Sequence, residues 1–127
     1  MKPDISSVLV ELAGLVARNA TPSLDDAERA GNLGLTAALL GIAAQAWDAT
    51  GHNLIIENRA LRRLLDEPQT PEDDFRISIL AGENARLRSA LILLHTELEG
   101  RGDPRETAIW AELVASTGRR LITGGLT

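Results

Sequence analysis

The sequence predicts an all-α protein, namely an up-and-down four-helix bundle whose long second helix forms an antiparallel, coiled-coil-like hairpin with the third. Residues 57–65 and 83–91 share the phrase Glu-Asn-x-x-Leu-Arg-x-x-Leu, each phrase lies inside a heptad pattern, and strand patterns are lacking. The 127 residues suit a single domain, 1–127, with a core large enough to need neither disulfides nor a metal.

The heptad pattern of the second helix continues in phase through five repeats. Placing Asn58 at position a puts large residues at d and mostly small residues at the other a positions. The d residues are Leu33, Leu40, Trp47, Leu54 and Leu61, and the other a residues are Ala30, Ala37, Ala44, Gly51 and Leu65. With Asn84 at a, the third helix has the seam Ile77, Leu80, Leu87, Leu91, Leu94 and Leu98. Both patterns indicate helices that pack lengthwise against other helices.

The first two helices follow from apolar spacing and capping residues. Apolar residues recur at helical spacing over about residues 4–18, which predicts the first helix. A proline-containing break follows, and Ser23 with Asp26 three residues later predicts the N-cap of the second helix. We expect that helix to reach Asp66, with residues 50–53 as the place most favourable for a break because they include a glycine.

Residues 66–71 form the clearest loop, since they contain two prolines and no apolar residue. Thr70 as N-cap and Pro71 at N1 predict the start of the third helix, with acidic residues 72–74 in its first turn. This helix is expected to end near Gly100.

The fourth helix is predicted by the same capping chemistry. Asp103 suits the N-cap, Pro104 the first helical position and Glu106 the third. The helix is expected to run to about Leu121, and the glycines 124–125 to close the chain.

The short loop makes the second and third helices an antiparallel hairpin. Pairing Leu65 with Ile77 places Asn58 opposite Asn84, so the two repeated phrases are expected to meet. At about 1.5 Å per residue, the second helix from 30 to 65 spans about 54 Å and the third-helix seam only about 33 Å. The overhang must therefore be covered by the first and fourth helices or by a second copy of the chain.

Composition removes several classes of function. The chain has no cysteine, which excludes disulfides, zinc-thiolate sites and thiol catalysis. Its net charge of −5 argues against a nucleic-acid partner, because such affinity rests on phosphate neutralisation. The repeated phrase resembles leucine-zipper segments in a general way, but no basic region precedes it. We expect no cofactor and no bound metal.

Two apolar segments are candidates for a membrane or export signal. Asp4 and Glu11 interrupt the N-terminal apolar stretch, which therefore does not fit a signal peptide and favours a cytoplasmic protein. The 18 residues 30–47 carry no charge and just reach the length of a membrane span. Their polar, glycine and alanine content favours a buried helix over membrane insertion.

The repeated phrases are also the first candidate ligand site. Glu57 and Glu83 both fall at g positions, which face each other in an antiparallel pair, beside Asn58 and Asn84. Paired carboxylates can bind a divalent cation or share a proton, which raises one pKa. Nearby arginines could instead neutralise them, and asparagine at a commonly determines register. The favoured interpretation is the structural one, in which these residues determine the register of the helices and bind no ligand.

Asp48 and His95 fall at e positions that the same register brings together. Such a pair could act as a general base, but no companion nucleophile is fixed beside it. A flanking ion pair is the favoured interpretation.

Trp47 and Trp110 are large anchors in a chain of small aliphatic residues. Core packing is the favoured interpretation, ahead of an oligomer interface and of a ligand pocket between helices. For an interface, the residues expected to contribute are Leu33, Ala37, Leu40, Ala44 and Trp47.

The function favoured by the sequence is that of a small non-enzymatic helical assembly or adaptor protein. It would self-associate, as a homodimer, and bind a protein partner through its helix faces. The alternative is a small-ligand-binding or metal-dependent helical-bundle enzyme that uses the paired Glu-Asn phrases, so whether the chain is an enzyme stays open.

Overall fold

The computed structural model describes residues 5–121, which form four helices. They are α1 (Ile5–Asn19), α2 (Asp26–Leu64), α3 (Ile77–Leu98) and α4 (Pro104–Arg119). No strand occurs between residues 5 and 121. The all-α fold with four helices and a long second helix is therefore confirmed.

The second helix differs from its prediction at both ends but not in the middle. It is helical without interruption through residues 50–53, so the expected continuous helix is confirmed. Its N-cap is Asp25 and not Ser23, because an Asp25 carboxylate oxygen accepts the backbone N–H of Glu28 at 2.8 Å.

The end of α2 is a Schellman motif. Asp66 adopts the left-handed conformation with φ 55°, and the N–H of Glu67 bonds the carbonyl of Arg62 at 2.9 Å. The N–H of Asp66 bonds the carbonyl of Arg63 at 3.4 Å. These bonds satisfy carbonyls at the helix end and turn the chain into the loop of residues 65–76.

The predicted start of α3 at Thr70 is wrong. The helix begins at Ile77, and Glu72 and Asp74 lie in the loop. The Glu72 carboxylate is held by the Arg59 guanidinium of α2 at 2.7 Å, and Asp74 accepts the N–H of Arg76 at 3.1 Å. These charge-assisted contacts compete with a helical first turn and hold the segment as a loop.

The predicted start of α4 is confirmed. The Asp103 carboxylate accepts the N–H of Arg105 at 2.8 Å, and Pro104 is the first helical residue. Gly100 and Gly102, both with positive φ, form the link from α3. The helix ends at Arg119, two residues before the predicted end, and residues 124–125 lie outside the described range.

The described residues form two compact units, 5–49 and 50–121, so that the single-domain organisation stays a prediction. In the first unit, Ile5, Leu12 and Leu15 are the buried residues of α1. Arg29 donates hydrogen bonds to three backbone carbonyls of the segment that joins α1 to α2, at Asn19, Thr21 and Leu24.

The second unit contains the predicted hairpin. Arg62 of α2 reaches Glu83 of α3, while Glu57 reaches Arg88, so residue numbers rise along one helix as they fall along the other. The antiparallel arrangement of α2 and α3 is therefore confirmed. The core of the unit joins α2, α3 and α4 and consists of Leu61, Leu87, Leu91, Leu98 and Ile109.

Candidate functional site

The two repeated phrases meet in a buried polar cluster. The Asn84 side-chain amide donates to the Asn58 carbonyl oxygen at 2.9 Å, and Asn58 donates to the backbone carbonyl of Leu80 at 3.0 Å. Asn58 is 1% exposed and Asn84 is fully buried. The predicted register, with Asn58 opposite Asn84, is confirmed.

Glu57 is the buried carboxylate of this cluster, with 2% of its surface exposed. One oxygen, Oε1, accepts hydrogen bonds from Asn84 Nδ2 at 2.8 Å, from Arg88 Nε and Nη2 at 2.8 and 2.6 Å, and from Arg120 Nη2. Arg119 Nη2 lies 4.0 Å from the other oxygen. Burial raises the pKa of Glu57. The hydrogen bonds from Asn84 and Arg88 and the charges of Arg88 and Arg120 lower this pKa by more than burial raises it. The net pKa lies below the ordinary value, so Glu57 is ionised at neutral pH.

The cluster fastens the end of α4 to the hairpin. Arg88 Nη2 donates to the buried hydroxyl of Ser116 at 3.0 Å, and Asn53 Nδ2 donates to the carbonyl of Arg119 at 2.9 Å. The second contact satisfies one of the carbonyls left open at a helix C-terminus. Burial lowers the pKa of Arg120, as do the charges of Arg88 and Arg119, against the opposing effect of Glu57. Glu57 thus supplies the negative charge that reduces the repulsion among the guanidiniums of Arg88, Arg119 and Arg120.

Glu83 has its own arginines and is not hydrogen-bonded to Glu57. It accepts from Arg62 at 3.0 Å and from Arg86 at 2.9 and 2.7 Å. The hydrogen bond from Arg86 has the largest effect on the pKa of Glu83 and lowers it, whereas burial raises it. The hydrogen bond from Arg62 also lowers this pKa, and the net value is about 2. Arginine neutralisation of both acids, one of the two sequence interpretations, is what the geometry shows. No group of three or more potential metal-binding side chains occurs within residues 5–121.

Glu83 makes a testable contribution to acid stability. Because its pKa is about 2 in the folded chain and about 4.3 in an unfolded one, its contribution is present above about pH 4.3 and is lost as the pH falls towards 2. We expect Glu83→Gln to lower the free energy of unfolding at pH 6 but to match the wild type near pH 2. Urea unfolding at a series of pH values measures this, and an equal difference at every pH would contradict it.

A cavity of about 290 Å³ lies beside the cluster in the second unit. It is lined by the loop of residues 70–74 and by side chains that include Asn58, Arg62 and Glu83. The Arg62 Nη1 atom is buried and has no hydrogen-bond partner within the described residues, although Glu72 Oε1 lies 4.0 Å away. Two of the predicted ligand-binding residues therefore border an open space, and their ligand-binding role stays a prediction.

The second predicted site contains Asp48 and His95. Asp48 is exposed in the first unit, and His95 is half-buried in the second, where its ring meets that of Trp110 edge-on at 5.4 Å. The His95 Nε2 atom is buried without a hydrogen-bond partner in the described part of the chain. The pairing of Asp48 with His95 therefore stays a prediction.

The predicted interface residues of α2 form an uncovered row, which we call the α2 stripe. Together with Ala30, it consists of Leu33, Ala37, Leu40, Ala44 and Trp47, and all six residues are exposed. Trp47 is 68% and Trp110 54% exposed, so the interpretation that they fill the core is wrong for the single chain. The residues one turn away from Trp47 on α2 are small, namely Ala43, Ala44, Thr50 and Gly51, so its own helix offers the ring nothing large to pack against.

The buried side of α2 in the first unit lies on a different face. Ala43 and Ala46 are buried and Thr36 and Leu39 are half-buried, and these residues occupy heptad positions c and g. From Leu54 onward, by contrast, the a and d residues Leu54, Asn58 and Leu61 are buried and Leu65 is half-buried. The same heptad positions are therefore covered in the second unit and open in the first.

Sequence reasoning missed the part of the cluster that comes from α4 and the residue after it. Ser116, Arg119 and Arg120 belong to no heptad phrase, and Arg120 meets Glu57 across 63 residues of chain. The one available signal was that twelve of the thirteen basic residues are arginines, which suit buried ion pairs but give no position.

Comparison with known proteins gives no match. No protein-family model, curated protein or solved structure matches this chain. Within the described residues, no helix has the length and apolar character needed to cross a membrane.

Proposed function

We propose that this protein is a small non-enzymatic assembly protein that forms a homodimer through the α2 stripe and binds a further protein through its other helix faces. The observation that carries the proposal is the exposure of Leu33, Leu40 and Trp47, at 54%, 53% and 68%, on one face of a helix segment without charge. A cytoplasmic location belongs to the same proposal, and cell fractionation tests it.

The exposed row is unfavourable for an isolated chain. Burying one leucine side chain contributes about 1.5–3 kcal/mol, and the three large residues lie on one face at heptad spacing. Contiguous apolar patches on monomers are usually interaction sites. No Asp, Glu, Lys or Arg lies between positions 30 and 47, so covering the stripe would bury no unpaired charge of this chain.

A protein partner has a separate surface in the second unit. Trp110 and Val114, one helical turn apart on α4, are 54% and 71% exposed. This pair supports the adaptor part of the proposal, because aromatic residues are enriched at the centres of protein interfaces.

Native mass spectrometry of the untagged protein tests the proposal. We expect a species of twice the 13.6 kDa chain mass and no retained small molecule. Analytical ultracentrifugation over a concentration series serves as the control in solution. A monomer at every concentration would overturn the proposal.

A second candidate function is small-ligand binding at the 290 Å³ cavity. The unpartnered Arg62 Nη1 atom at its wall favours a ligand with a hydrogen-bond acceptor. The same spectrum separates the two functions, since a reproducible added mass that disappears in Arg62→Met would favour the ligand site.

A further inference from the structure

We infer that the two chains of the dimer pair their α2 stripes antiparallel about a twofold axis between residues 38 and 39. This inference rests on the proposed function, because it specifies how the second copy covers the α2 stripe. It is carried by the order of small and large residues along the exposed face.

The exposed face alternates strictly in size. Its a positions carry alanine at 30, 37 and 44, and its d positions carry leucine, leucine and tryptophan at 33, 40 and 47. In an antiparallel helix pair each a residue faces a d residue of the partner, and large residues pack best against small ones. Every layer of such a pair would therefore join one small and one large side chain.

One register matches the whole uncharged segment to itself. It places Ala30 against Trp47 of the second copy, Ala37 against Leu40, and Ala44 against Leu33. The twofold axis repeats each contact, which gives six layers over residues 30–47. A shift by one heptad would leave the end layers unpaired or bring in Leu54, which is buried within its own chain.

A parallel pair fits this order of residues poorly. Its layers would join like with like, so that alanine would face alanine and Trp47 would face Trp47. Alanine layers would leave gaps while the tryptophan layer would force the helices apart, and both defects destabilise an interface.

Two glycines beside the α2 stripe agree with close helix packing. Gly34 and Gly41 occupy consecutive e positions, and a Cβ atom added at either would meet nothing within 4 Å in the single chain. The space next to the stripe is therefore open on its e side. A second helix can approach its backbone closely there, as small interfacial residues allow.

The chemistry of the face favours a second copy over an unrelated protein. Distinct partners are commonly selected by complementary charges, and residues 30–47 offer none. The self-match in size, in contrast, satisfies the requirement of a twofold interface that the same surface complement itself.

Cysteine cross-linking tests the orientation, because the natural chain has no cysteine. The variants are Leu33→Cys and Ala44→Cys, each oxidised alone and as an equal mixture in which one variant is isotopically labelled. Equivalent residues 44 of the two chains would lie about 16 Å apart along an antiparallel seam, beyond the reach of a disulfide. Leu35→Cys, at the exposed f position of the same helix, is the control and should not cross-link.

We expect a disulfide in the mixture only, joining a labelled chain to an unlabelled one. Cross-linking of each variant with itself, in a protein that ultracentrifugation shows to be a dimer, would overturn the antiparallel pairing and leave the homodimer standing. A dimer without any cross-link would place the interface elsewhere and overturn the inference as well. A monomer would overturn the proposed function and the inference together.

Discussion

Leu40→Glu is expected to convert the dimer into a monomer at micromolar concentration, whereas Leu35→Glu leaves it intact. Leu40 lies in the α2 stripe next to the twofold axis, so one substitution removes two leucines from adjacent layers and introduces two carboxylates there. Losing about 1.5–3 kcal/mol for each buried leucine corresponds to dissociation on the order of 1,000-fold easier. Two like charges in adjacent layers of a dry seam add to this effect.

Leu35 provides the matched control for this substitution. It lies on the same helix, is 50% exposed against 53% for Leu40, and occupies heptad position f, away from the stripe. Sedimentation equilibrium of the two variants and the wild type measures the dissociation constants. If both variants dissociate equally, the effect comes from α2 in general, and the stripe is not the interface.

Glu57→Gln is expected to lower the free energy of unfolding by about 3 kcal/mol, because it removes the one carboxylate that Arg88 and Arg120 share within a buried cluster. The substitution keeps the size of the side chain, so that a loss of packing does not account for the effect. The remaining guanidiniums would then repel each other, with Glu112 alone to neutralise Arg119.

Glu67→Gln serves as the control for Glu57→Gln. Glu67 also pairs with an arginine, Arg86, but the two side chains are 31% and 51% exposed. Exposed ion pairs contribute about 0–1 kcal/mol, so this variant should stay close to the wild type. Urea unfolding at one fixed protein concentration compares the three proteins. Equal losses from both substitutions would show that the Glu57 cluster adds no more stability than a surface ion pair.

Local patterns allowed most of the helical architecture to be predicted. The start of α4 depends on Asp103 and Pro104, which act on the backbone beside them, and it was predicted correctly. The facing of Asn58 and Asn84 followed from a repeated phrase and a short loop. The start of α3 could not be predicted, because Glu72 pairs with Arg59 of the preceding helix and leaves the helix that its own sequence favours.

The candidate site was predictable only where it follows the heptads. Asn58, Asn84 and Glu57 occupy seam or flanking positions, whereas Arg120 reaches the cluster through tertiary folding. Trp47 shows a limit of the heptad pattern itself. A large apolar residue at d is expected to be covered, and the pattern does not say whether its own chain or another covers it.

The Glu57–Arg120 ion pair also bears on the order in which the protein acquires its structure during synthesis. The hairpin of α2 and α3 can form as soon as residue 98 has left the ribosome, since its contacts are close in sequence. Glu57 then has only Arg88 to balance its charge, until the ribosome has released a further stretch that includes Arg120. The second unit is therefore expected to pass through a nascent stage in which the Glu57 carboxylate is partly exposed, until α4 arrives and Arg120 completes the cluster.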